Sequence, residues 1–148
     1  MTSNFEIEKT LIGLRPYFHG VYSKDELPAR VDGKIYVVNL GDSSGGGTHW
    51  TLVSDYGPEC VYYDSYGLSA PDEIRRFMST CNKNKKLKYS DMQHQHLESD
   101  FCGEFCVFVA MKIFNHIPFL KIVEGLLTPN IQRNEQLVAG YIDRGLKL

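Results

Sequence analysis

The stretch "CGEFCVFVAMKIFN" at residues 102–115 constrains the fold more than any other part of the chain. It is too long for a strand and too apolar for a surface helix, so it reads as a helix that other elements must cover. The remaining chain can supply that cover. At 148 residues it has the size of one domain, and 43% of it is hydrophobic, with nine Tyr and eight Phe. With 23% charged residues it belongs to the globular class rather than the disordered one. No apolar run reaches the roughly 18 residues of a membrane span. The start, "MTSNFEIEKTLIGL", lacks the basic-then-apolar pattern of a secretory signal.

One domain over residues 1–148 is expected, since neither repeat nor linker interrupts the sequence. Residues 3–13 read as a helix, with Ser3 and Glu6 in capping-box spacing. The Pro- and Gly-punctuated "LRPYFHGVYSKDELPA" reads as a loop. Three strand-like runs follow at 34–40, 48–56 and 59–67, the last two joined by "DYGPE" as an antiparallel hairpin. "APDEIRRFMSTC" predicts a helix with Ile74, Phe77 and Met78 on its buried face, and "KLKYSDMQ" a further strand. Helices are expected over 102–115, 118–127 and 131–145. The fold class is therefore α+β: a small, mostly antiparallel sheet packed against helices, with Cys102 at the N-terminus of the central buried helix.

Four cysteines (Cys60, Cys81, Cys102, Cys106) without a signal segment predict free thiols in a reducing, intracellular setting. The net charge of −2 and pI of about 6.2 give no general attraction for nucleic acid. The basic run "NKNKKLK" reads as a solvated loop.

Several residues carry chemistry. Cys102 opens the helix, with Ser99 and Asp100 as candidate caps, and a helix N-terminus favours a thiolate. Cys106, one turn further in, reads as core. In "GGGTHW", His49 heads a strand after three glycines; a Gly-rich turn before an ordinary strand residue fits equally. In "YYDSYG", Asp64 lies near the end of the next strand. An index sum of about 113 in that hairpin sets it opposite His49, where a carboxylate can hold an imidazole in one tautomer. A turn cap before Gly67 is the alternative for Asp64. Gln95 could offer its amide to an oxyanion beside the Cys102 N–H, or be a plain loop glutamine. A rival set for zinc is His94, His96, Cys102 and Cys106.

Taken together, "GGGTHW", "YYDSYG", a glutamine and "DFCGEFC" resemble the adenovirus-type maturation cysteine proteases, whose clan includes the ubiquitin-like-protein proteases. "PYFHGVYSKDELP", "VNLGDSSGGGTHW" and "RNEQLVAGYIDR" resemble further segments of that family, so the likeness runs over most of the chain in order and spacing. It implies an enzyme with His49 as base, Asp64 as orienting acid, Cys102 as nucleophile and Gln95 in the oxyanion hole. Gly47, Trp50 and Gly103 become candidates for the substrate groove. The adenoviral enzymes typically carry Glu where Asp64 stands. The resemblance further implies viral capsid or virion precursor proteins as substrates, cut after Gly-Gly or Gly-x-Gly, within the virion or the assembly site of the host cell. No cofactor is needed for the chemistry and no membrane is implied. An activating peptide, for which Cys81 is the free candidate to bridge, and DNA are the family's activators.

Overall fold

The computed structural model describes residues 4–41, 49–97, 99–128 and 130–146. Helix α1 (Asn4–Leu11) runs into a 3-10 turn at Ile12–Leu14. Strands β1 (Phe18–Ser23), β2 (Ile35–Asn39), β3 (Trp50–Ser54) and β4 (Glu59–Tyr63) follow. Then come α2 (Asp72–Met78), β5 (Lys86–Tyr89), α3 (Cys102–Phe114), α4 (Phe119–Glu124) and α5 (Gln132–Leu146). The five strands form one sheet in sequence order.

Alternation along the strands divides the core. Ile35, Val37, Trp50, Leu52, Val61 and Tyr63 pack with α1, α3, α4 and α5 on one face. Tyr36, Val38, Val53, Cys60 and Tyr62 pack with Ile74, Phe77 and Met78 of α2 on the other. Burial on both faces explains why the central strands read as nearly unbroken apolar runs. Helix α3 lies in the larger cluster with Phe105, Val109 and Ala110 fully buried, as its composition requires.

Two expectations need correction. The sheet is mixed rather than mostly antiparallel: β2–β3 and β3–β4 are antiparallel, while β1–β2 and β4–β5 are parallel. The segment expected to be a loop contains β1. It is an edge strand with a register shift between Phe18 and Gly20, so Gly punctuation and partial burial hid its period of two. The Ser3 half of the proposed capping box lies outside the described residues. Among the described residues, no helix is long and apolar enough to cross a membrane.

Candidate active site

The antiparallel ladder between β3 and β4 brings the two chemistry-bearing segments to one end of the sheet. Its register pairs Leu52 with Tyr63 and Val53 with Tyr62, an index sum of 115 rather than the expected 113. Extending that sum sets Tyr66, not Asp64, opposite His49, with Asp64 on the diagonal. The bond expected between His49 and Asp64 still forms, because diagonal partners lie within reach of longer side chains. His49 Nε2 donates to Asp64 Oδ1 at 2.8 Å.

Asp64 is fully buried, and its Oδ1 also accepts the Tyr66 N–H at 2.8 Å. Its main chain is held by Ser90, whose Oγ accepts the Asp64 N–H at 2.9 Å. His49 precedes β3 and is tied to the end of β2, its carbonyl accepting the Leu40 N–H at 2.9 Å. Nδ1 of the ring is buried and closes no hydrogen bond of good geometry. The thiol of Cys102 is the other group acting on this imidazole. Burial pushes the His49 pKa down, but the hydrogen bond to Asp64 and the proximity of the Asp64 carboxylate and the Cys102 sulfur outweigh it, raising the pKa to about 9. The site therefore favours imidazolium at neutral pH.

Cys102 is the first residue of α3, where helical N–H groups have no intrahelical acceptor. The N-cap position is Phe101, without a side-chain cap; Ser99 Oγ instead accepts the Phe101 N–H at 3.2 Å. The expectation of a Ser99 or Asp100 helix cap is thus corrected for Ser99: its side chain serves the turn before the helix. Cys106 is 1% exposed within the core, and burial holds its thiol well above the usual range. Glu104, in the first turn of α3, has its pKa lifted to about 7 by burial, and its Oε1 meets no hydrogen-bond partner.

Gln95 is fully buried in a tightly pinned loop. Ser65 Oγ donates to its Oε1 at 2.5 Å, and its Nε2 donates to the Ser99 carbonyl at 2.9 Å. An amide nitrogen carries two protons, so one N–H is left over. The Ser65 carbonyl accepts the N–H groups of His94 and Gln95, and Asn134 Nδ2 of α5 donates to the His94 carbonyl at 2.9 Å. Gly67, at φ +77°, lets this loop approach: a Cβ there would stand 2.7 Å from the Met92 carbonyl carbon. The sequence left Ser65, Tyr66 and Asn134 unmarked; only the hairpin register could have singled out Tyr66.

The zinc set does not converge. His94 is buried, with Nδ1 in a 3.1 Å hydrogen bond with the Tyr63 hydroxyl. Burial lowers its pKa to about 4. Among the described residues, no three His, Cys, Asp or Glu side chains are arranged to hold a metal ion. Of the groove candidates, Gly47 lies outside the described residues. Trp50, 9% exposed, packs in the same core cluster as Cys102, and Gly103 is also buried. Cys81 is half-buried beside Cys60 against the α2 face.

No family model matches the chain, and no curated protein does. Among solved structures, the fold is similar to the crystal structure of ASFV pS273R protease. That match has a TM-score of 0.60 and 15% identity, covering 86% of this chain and 62% of that one. A selenomethionine crystal structure of ASFV pS273R protease matches at a TM-score of 0.45 and 22% identity, over 58% of this chain and 36% of that one. The chain shares the overall fold of the first of these structures. The chain spans less than two-thirds of the length of these structures.

Proposed function

We propose that the chain is a cysteine endopeptidase with Cys102 as nucleophile, His49 as general base and Asp64 as the acid that orients the imidazole. The observation that carries this reading is the 2.8 Å His49–Asp64 hydrogen bond, made by an imidazole that also interacts with a thiol at the start of a helix. With Nε2 engaged by the carboxylate, Nδ1 is the nitrogen left to take the thiol proton. The thiolate attacks the scissile carbonyl carbon. Charge on the carbonyl oxygen is met by the Cys102 N–H and the spare amide N–H of Gln95. The imidazolium protonates the leaving amine, and water, deprotonated by the imidazole, then releases the acid from the thioester. A His49 pKa near 9 keeps the imidazolium available for amine protonation at neutral pH.

The likeness of fold to a viral protease and the motif resemblance support a viral enzyme acting on proteins. On the resemblance, its substrates are capsid or virion precursors cut after Gly-Gly or Gly-x-Gly during particle maturation, in the virion or at the assembly site. A peptide activator belongs to the same reading. Asp64, where the adenoviral enzymes typically carry Glu, favours a second reading of the same chemistry, a ubiquitin-like-protein protease.

The test is cleavage of a glycine-containing capsid-precursor peptide by the parent chain and by Cys102→Ala. The parent is expected to cut and the variant, equally folded, to be inert; undiminished cleavage by the variant sinks the assignment. Labelling of Cys102 by a ubiquitin-type C-terminal aldehyde, with capsid peptides ignored, selects the second reading.

A further inference from the structure

Tyr66, to which the sequence gave no role, touches three parts of the candidate site. Its ring stacks on the His49 imidazole with centroids 4.4 Å apart and planes 14° from parallel. Its main-chain N–H donates to Asp64 Oδ1, the oxygen that also accepts His49 Nε2–H. Its hydroxyl donates to the Ser99 carbonyl at 3.2 Å, the acceptor that the Gln95 amide also uses. One half-buried residue thus joins the base and the turn leading into the nucleophile through its side chain, and the acid through its main chain.

We propose that Tyr66 is a positioning residue, which holds the His49 imidazole in the plane joining Asp64 to Cys102 and covers one face of it. The inference rests on the cysteine-protease reading. An imidazole hydrogen-bonded only through Nε2 keeps freedom to turn about its last torsion, which is broad for a ring. A near-parallel aromatic face at stacking distance removes that freedom, because turning drives ring edge into ring face. The electron-rich face also stabilises the protonated imidazole. Any replacement of Tyr66 keeps the main-chain bond to Asp64, so a substitution isolates the ring.

The experiment follows iodoacetamide alkylation of Cys102 against pH, read by mass spectrometry of the Cys102 peptide, in the parent, Tyr66→Phe and Tyr66→Leu. The groups facing His49 are Asp64, Cys102 and Tyr66, and burial holds the Tyr66 hydroxyl above its ordinary range, so the alkaline limb of the profile reports loss of the imidazolium proton. In Tyr66→Leu that limb is expected to fall by about half a pH unit or more, the scale of one cation–π contact. Turnover of a fluorogenic Gly-Gly peptide amide should fall about tenfold in kcat with KM little changed, as for a misplaced catalytic group. Tyr66→Phe, which keeps the stack, should restore both. A limb that stays put or moves up in Tyr66→Leu overturns the proposal, since mere loss of burial would move it up. If the leucine variant unfolds, Tyr66→Met takes its place under the same criteria. A parent Cys102 that titrates as an ordinary thiol removes the protease reading and this inference together; a paired thiol in the parent with an unmoved limb removes only the inference.

Discussion

Ser65 Oγ donates to Gln95 Oε1 at 2.5 Å, and together with the Nε2–H bond to the Ser99 carbonyl it anchors both ends of a buried amide. Without it the amide keeps only its Ser99 anchor and can swing the spare N–H away from where the proposed oxyanion needs a donor. Ser65→Ala is therefore expected to lower kcat while leaving KM near its parent value. Gln95→Ala, which removes the donor itself, should cost about 10²-fold or more. Steady-state kinetics on a glycine-containing peptide measures both. A Ser65→Ala variant with full turnover would show that the amide needs no such anchor.

Asp64→Asn should take the His49 pKa from about 9 back toward the ordinary histidine range, because the acceptor's hydrogen bond and charge sustain the rise. Turnover should fall by roughly 10²–10⁴-fold, as when an orienting carboxylate becomes an amide. NMR titration of the His49 ring protons reads the first effect without any substrate. An unmoved imidazole pKa in a folded variant contradicts the role given to Asp64.

The two cysteines of α3 should separate cleanly under alkylation. Cys102, at the helix start beside the His49 imidazole, is expected to be alkylated first. Cys106 is buried with its thiol held high and should stay unmodified while the protein is folded. Peptide mapping after brief iodoacetamide exposure distinguishes them, and modification of Cys106 first would reverse the roles.

The buried His94 and the half-buried His49 give opposite pH signatures. The His94 pKa is lowered to about 4, so between 4 and 6.5 the unfolded chain binds the extra proton. His94 therefore makes stability rise with pH over that window, and its contribution is complete above 6.5. The His49 pKa is raised to about 9, so the folded chain binds more protons between 6.5 and 9. Stability from His49 is complete below 6.5 and is lost as pH rises to 9. Glu104, lifted to about 7 from 4.5, opposes His94 over much of the acid window, so difference curves are needed. The parent minus His94→Phe curve in denaturant unfolding should rise from pH 4 to 6.5 by up to the order of 3 kcal/mol. A flat difference would falsify the burial of a neutral His94.

Gly67→Ala should destabilise by about 1–3 kcal/mol, because a Cβ meets the Met92 main chain and the residue sits at positive φ. The same turn supports the Gln95 loop, so turnover should fall with stability. Thermal unfolding and kinetics on one preparation read both, and a variant matching the parent in each would mean the loop can move away without loss.

Much of the fold was legible because it is written in neighbours a few residues apart. The apolar run after Cys102 required a covered helix, and Ile74, Phe77 and Met78 marked the buried face of α2. Strand β1 was not legible, since an edge strand with one partner and a bulge leaves little periodic signal.

By itself the sequence determined the chemical inventory: a thiol at a helix start, an imidazole and a carboxylate at the ends of adjacent strands, and a nearby glutamine. Tertiary structure alone decided how they meet. The hairpin register moved Asp64 to the diagonal of His49 and put Tyr66 over the ring. Ser65 reached Gln95 across 30 residues, and Asn134 reached the His94 carbonyl across 40. Local periodicity fixes which face of an element is buried, but contacts between elements depend on how the whole core packs, and no short stretch of chain encodes that distance.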